Sequence, residues 1–322
     1  MSELSQSHST PAPLWLALRF PRVALDLLNK RNPQQALVII EGNRIFQTCD
    51  QAQRLGIQSG MSVQTALLLS QSDDETEELQ IESSHIQAVH IETAQSPSSD
   101  QPKLLMRERC PQQEQRHMQQ LAQWAYQFTP YVSHWQQSDS LLLELGSCLA
   151  LFGGLTQLLD TIEQQLLVKQ LHVQLSLAHT PKAAWLLGWQ PHLIDWQQRW
   201  REEQTSANSI DASWFEQSVT QSLNNMMLLQ LPEQAPFTQK RLQQWQNIGL
   251  KRFGELLSLP RASIAKRYGK SCLKQFEQIT GSEIDLQTYV SPRSDFFAER
   301  HYLSGLESCL LYTSPSPRDG LL

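Results

Sequence analysis

The sequence is poor in the residue patterns that announce a cofactor, a disulfide framework or a membrane anchor. Its five cysteines, Cys49, Cys110, Cys148, Cys272 and Cys309, are scattered with no CxxC pair. That spacing excludes a cysteine-rich zinc site and leaves reduced, structural thiols as the expectation. The nine histidines show no HExxH or paired spacing, and neither a P-loop nor a GxSxG motif occurs. No cofactor and no resident metal is expected. No apolar run approaches the roughly 20 residues of a membrane span. The amino-terminal MSELSQSHSTPAP is polar and lacks the basic-then-apolar order of a signal peptide, so a cytoplasmic protein is expected. Basic residues are also missing over a long interval. From Leu55 to Pro102 there is no Lys or Arg, while Asp73, Asp74, Glu75, Glu77, Glu78, Glu82, Glu92 and Asp100 fall there.

What is present supports a sizeable core. The 322 residues are 40% hydrophobic and include nine Trp, enough for two or three domains. The net charge of -6 taken alone argues against a nucleic-acid partner, but the interval Gln239 to Lys274 reverses the sign. It carries Lys240, Arg241, Lys251, Arg252, Arg261, Lys266, Arg267, Lys270 and Lys274 against Glu255 alone, a basic module within an acidic total.

Periodicity orders the elements. Leu14 to Leu18 reads as a buried strand, Val23 to Leu28 as a helix, and Ala36 to Ile40 as a second strand turning at Glu41-Gly42-Asn43 into Arg44-Ile45-Phe46. Asp50 to Leu55 and Val63 to Leu69 read as helices. Gln71 to Lys103 is polar, acidic and Ser-rich and reads as a mobile insertion. On the helix Gln113 to Phe128, Leu121, Trp124, Ala125 and Phe128 fall on one face. Leu141-Leu142-Leu143 is a short apolar run opened by Asp139 and Ser140, a strand buried on both faces. A helix with Leu155, Leu158, Leu159, Ile162 and Leu166 aligned follows, then a half-buried strand with Val173, Leu175 and Leu177 alternating, then a helix from Lys182 to Gly188. Strand, helix, strand, strand, helix, strand is the order of a split βαβ (ferredoxin-like) sheet in an α+β fold. Asp139 and Glu144, five apart on one strand, point to opposite faces and cannot form a close acid-base pair.

Further along, Leu242, Trp245 and Ile248 line one helix, Gly249-Leu250 forms a hairpin, and Phe253, Leu256 and Leu257 continue on the next. This is a helix-hairpin-helix pattern. A hairpin glycine lets backbone N–H groups approach a phosphate, and nearby cations add to the contact. Gly249, Lys251, Arg252, Arg261, Lys266 and Arg267 are therefore the expected DNA-contacting residues; the plain alternative is an ordinary αα-hairpin.

These segments resemble the Y-family (UmuC/DinB type) translesion DNA polymerases and, more closely, their ImuB-like relatives, mutasome components that lack polymerase active-site residues. The resemblance rests on LWLALRFP at the first strand, Gly56-Ile57-Gln58-Ser59-Gly60-Met61, Phe128-Thr129-Pro130, Leu151-Phe152-Gly153-Gly154, Leu250 to Leu256 and Leu259-Pro260-Arg261-Ala262. It covers roughly Pro13 to Ser308. It implies a palm at 13–22 and 106–200, fingers at 23–70, the acidic insertion at 71–105, a helical thumb at 201–284, and a linker with the start of a little finger at 285–308. From Cys309 the text CLLYTSPSPRDGLL resembles translated adapter sequence, so residues 309–322 are expected to be a non-native tail.

The resemblance also implies which positions should carry chemistry. The first-strand acidic positions of active relatives match Ala17 and Arg19, and the Asp-Glu pair opening the central strand matches Asp139 and Ser140. Ser140 is expected to face Ala17 across the sheet. The triphosphate-holding positions match Asp50, Gln53 and Trp185. Two Mg²⁺ ions need several carboxylate oxygens; Asp139 alone cannot hold both, and Arg19 would repel them. The implied function is a catalytically inactive DNA-binding scaffold for translesion synthesis and damage-induced mutagenesis. The implied partners are DNA, the sliding clamp, a RecA-like accessory protein and a C-family error-prone polymerase. An active error-prone polymerase and a generic helix-hairpin-helix DNA-binding protein are the alternatives.

Overall fold

A run of apolar residues with no polar alternation can be satisfied only between two covered faces, and β1 (Trp15–Arg19) has that environment, with its first four residues buried. In the computed structural model, which describes residues 13–28, 36–71, 104–134, 139–190, 212–233 and 236–291, β1 pairs antiparallel with both β6 (Ser140–Glu144) and β7 (Gln174–Ala178). β5 (Val132–His134) joins β6, giving the order β5-β6-β1-β7. With α4 (Pro111–Ala125) between β1 and β5 and α5 (Leu155–Val168) between β6 and β7, this is the expected split βαβ sheet.

The register divides the sheet by side-chain parity. Trp15, Ala17, Arg19, Ser140, Leu142, Glu144, Gln174 and Ser176 share one face. The other carries Leu16, Leu18, Leu141, Leu143, Leu175 and Leu177. α4 packs on β5 and β6, and Trp124 Nε1 donates to Gln165 Oε1 at 2.8 Å, tying it to α5. α6 (Pro181–Leu187) lies against β1, β6 and β7. Its packing corrects the half-buried reading of β7: Ser176 is 3% exposed and its hydroxyl donates to Ala184 O at 2.7 Å. A serine in an alternating pattern signals solvent, yet here the helix backbone supplies the acceptor.

A second sheet has the order β3-β2-β4. It joins β2 (Leu37–Glu41), β3 (Arg44–Thr48) and β4 (Leu105–Glu108), around which α1 (Val23–Asp26), α2 (Asp50–Arg54) and α3 (Val63–Gln71) assemble. β4 was not expected. It pairs parallel with β2, Leu37 opposite Leu105 and Ile40 opposite Glu108, so the chain returns to this sheet at the point where sequence composition suggests the end of an insertion. Four residues with half-buried apolar and exposed charged positions give no periodic signal; pairing alone fixes them. Of the insertion expected at 71–105, Gln71 ends α3 and Leu105 begins β4, while residues 72–103 lie outside the described residues, as do 292–322, which hold most of the expected little-finger start and the whole of the expected non-native tail.

The carboxy-terminal helices are α7 (Ala212–Asn225), α8 (Gln239–Asn247), α9 (Phe253–Leu257), α10 (Arg261–Tyr268) and α11 (Lys270–Thr280). Phe237, Trp245, Phe253 and Phe276 interlock at their centre with ring centroids 5.7 to 6.2 Å apart, a geometry that adds to simple area burial. Thr180 joins these helices to the sheet: it caps α6 by accepting from Ala183 N at 3.1 Å and donates to Ile279 O at 2.9 Å. Lys182 binds Gln278 and lies 3.4 Å from Asp285. The chain then runs along β5, with Val290 N donating to Val132 O at 2.8 Å and Tyr289 edge-on to Tyr131 at 5.3 Å.

Burial raises the Asp285 carboxyl above its ordinary range, with Lys182 pulling the other way. The folded state therefore holds this proton more tightly than the unfolded chain. The stability it contributes is present at low pH and is lost as pH rises through the raised value. Asp285→Asn is expected to match or exceed wild-type stability at neutral pH and to remove that loss, as checked by comparing the two proteins' thermal unfolding from about pH 3 to pH 7. A variant clearly less stable at neutral pH would contradict it.

Candidate functional site: the head of the first sheet and the basic helices

Asp139 stands immediately before β6, and its carbonyl accepts from Phe20 N at 2.7 Å, which fixes the end of β1 against it. Across the sheet, Ser140 pairs with Arg19; Ala17 lies opposite Leu142 and Ser176. The expectation that Ser140 faces Ala17 is thus corrected by one pleat. Ala17 is fully buried and carries no donor. The Ser140 hydroxyl donates to Asp139 Oδ1 at 3.1 Å.

Arg19 occupies the space between these groups. Its Nε lies 3.2 Å from Asp139 Oδ2, its Nη1 donates to Gln174 Oε1 at 2.9 Å, and its guanidinium carbon sits 3.5 Å from the centre of the Trp189 ring. Burial lowers the Arg19 pKa, with Asp139 opposing; an arginine still keeps its charge. The described donor set does not suit two divalent cations, because among the described residues one carboxylate is present where several are needed and the Arg19 guanidinium lies against it. Among the described residues no group of three or more His, Cys, Asp or Glu could hold a metal ion.

The positions matched to triphosphate binding do not converge on a phosphate. Asp50 accepts from Arg22 Nη1 at 2.6 Å, Gln53 Nε2 donates to Thr48 Oγ1 at 3.2 Å, and Trp185, on α6, is buried in the core. A cavity of about 290 Å³ opens beside Asp139, walled by Phe20, Phe46, Met118 and His134. Arg109 forms part of its rim. Glu114 grips it with two bonds of 2.9 Å, Glu41 accepts at 3.0 Å, and Phe46 lies 3.9 Å beneath it. These bonds, those to Glu114 foremost, raise its pKa. Arg109, Gln174 and Trp189 were missed by sequence reasoning, which finds motifs but not the partners that folding brings to them.

In the helical region Gly249 has φ of +88°, as the tight turn after α8 requires. The hairpin's amides are all engaged within the chain. Gly249 N donates to Gln246 O, Leu250 N to Trp245 O and Phe253 N to Met226 O, while Lys251 N and Arg252 N share Glu255 Oε2 at 2.7 and 3.2 Å. Those two backbone bonds are the main cause of the lowered Glu255 pKa. Backbone contact with phosphate at this hairpin would have to displace a carboxylate, so any contact falls to side chains. Lys251, Arg252, Lys266 and Arg267 are exposed. Arg261 is also exposed but lies 3.4 Å from Glu277.

The impB/mucB/samB family model matches residues 23–188. Protein ImuB of Caulobacter vibrioides (strain NA1000 / CB15N) is 25% identical over 196 residues, which is 61% of this chain and 38% of that protein. The chain thus spans well under half the length of that curated relative. Among solved structures, DinB from Sulfolobus solfataricus aligns with a TM-score of 0.53 at 12% identity, over 86% of this chain and 69% of that one. An insertion ternary complex of Dbh DNA polymerase aligns with a TM-score of 0.55 at 13% identity, over 85% and 69%. At such identities the likeness is one of fold.

Proposed function

Because the chain belongs to the impB/mucB/samB family, we propose that it is a catalytically silent polymerase-fold protein that binds DNA and serves as a scaffold in translesion synthesis and damage-induced mutagenesis. The observation that carries this reading is the head of the first sheet, where Asp139 is the sole carboxylate among the described residues and Ala17 is buried with no side-chain oxygen to offer a metal. Two-metal phosphoryl transfer places charge on several oxygens at once and depends on clustered carboxylates to position the ions. The sheet is present, and among the described residues no such cluster accompanies it.

In this reading 13–22 and 106–200 act as palm, 23–70 as fingers and 201–284 as thumb, except that β4 (Leu105–Glu108), which pairs with β2, goes with the fingers rather than with the palm or the insertion. DNA is held through the side chains of Lys251, Arg252, Lys266 and Arg267, with Arg261 partly neutralised by Glu277. The family likeness to ImuB motivates a sliding clamp, a RecA-like accessory protein and a C-family polymerase as partners, the last supplying the chemistry. Pull-down with each purified partner on primer-template DNA tests the assignment. Capture of clamp and polymerase is expected; DNA binding with capture of neither would leave a plain DNA-binding module.

A further inference from the structure

We infer that Arg19 is a built-in counter-cation: its guanidinium takes over the charge-balancing role that divalent ions would have beside Asp139, so the head of this sheet is stable without metal and closed to it. This goes beyond catalytic silence, since a site can lose activity while still binding an ion. It does not depend on DNA binding or on any partner.

Three features support the assignment. Asp139 is 24% exposed on its side chain and Arg19 13%, so their attraction is poorly screened and removal of either leaves a charge in a partly desolvated place. The guanidinium is held on separate sides by a carboxylate, by the Gln174 amide oxygen and by the Trp189 ring face. A planar, weakly hydrated cation suits this combination, and a lysine ammonium could not reproduce it. Finally, the backbone is shaped to allow the stack. The α6 C-terminus ends in Gly188, where a Cβ would lie 3.2 Å from Ser176 Oγ and 3.7 Å from Arg19 Cβ. The turn thus comes close to β7 and delivers Trp189 onto Arg19.

The test compares wild type, Arg19→Met, Arg19→Asp, Asp139→Asn and the double variant Arg19→Asp/Asp139→Asn. Mn²⁺ binding is read from the spin-resonance signal of free Mn²⁺, and Tm is read in Mn²⁺ and in EDTA. Wild type is expected to bind no stoichiometric Mn²⁺ and to show the same Tm in both. Arg19→Met is expected to lose several degrees of Tm that Mn²⁺ does not restore. Arg19→Asp places a second carboxylate opposite Ser140 and removes the repelling charge. It is expected to bind one Mn²⁺ per chain at least about tenfold more tightly than wild type, with Tm rising in Mn²⁺ and the double variant losing both effects. Stoichiometric Mn²⁺ on wild type that disappears in Asp139→Asn would overturn the inference, as would an Arg19→Met protein as stable as wild type. Should Arg19→Asp fail to fold, the wild-type and Arg19→Met measurements still decide between these outcomes.

Discussion

Ala17→Asp, the substitution that would return a carboxylate to the first strand, is expected to destabilise the protein by about 3–5 kcal/mol and to create no metal site. Ala17 has no accessible surface and sits in register between Leu142 and Ser176. The Ser176 hydroxyl is already donated to Ala184 O. Arg19, on the same face, is committed to Asp139, Gln174 and Trp189. A carboxylate at position 17 would be buried either unpaired or at the cost of stripping Asp139 of its partner. Chemical denaturation of the two proteins measures the difference. An Ala17→Asp protein of unchanged stability that gains Mg²⁺ binding would mean that α6 leaves more room over β1 than its packing indicates.

Joint replacement of Lys251, Arg252 and Lys266 by glutamine should weaken binding to primer-template DNA by at least about tenfold near physiological salt. The slope of log affinity against log salt should flatten by about three, one for each phosphate no longer neutralised. All three side chains are exposed, and their replacement removes no packing in the aromatic core around Trp245. Fold stability should accordingly remain close to wild type, which separates a binding defect from unfolding. The hairpin geometry sharpens this expectation. With Lys251 N and Arg252 N held by Glu255, a phosphate contact here would rest on the side-chain charges, and neutralising them would leave no free amide at Lys251 or Arg252 to compensate. An unchanged salt slope would place the DNA surface elsewhere.

The sequence was most informative where local pattern decides structure. Continuous apolar runs marked β1 and β6, the spacing of Leu155 through Leu166 marked α5, and the Asp139-Ser140 junction was legible from the residues alone. Where two distant segments meet, pattern was insufficient. The pleat that sets Ser140 against Arg19 depends on strand register, β4 depends on a parallel partner 68 residues earlier at Leu37 opposite Leu105, and the Trp189 stack depends on how α6 lies over the sheet. Glu255 was the one missed feature with a readable signal. An acidic residue three positions after Arg252, just ahead of an apolar helix, is the spacing by which a side chain caps the preceding backbone amides, and it argues against an open phosphate cradle.

Primer extension by the purified chain on a lesion-free and a damaged template, with Mg²⁺ or Mn²⁺, tests whether this polymerase fold is catalytically silent. No template-dependent incorporation is expected with either metal, and no difference between wild type and Asp139→Ala. Incorporation by wild type that Asp139→Ala abolishes would show that this sheet still performs chemistry.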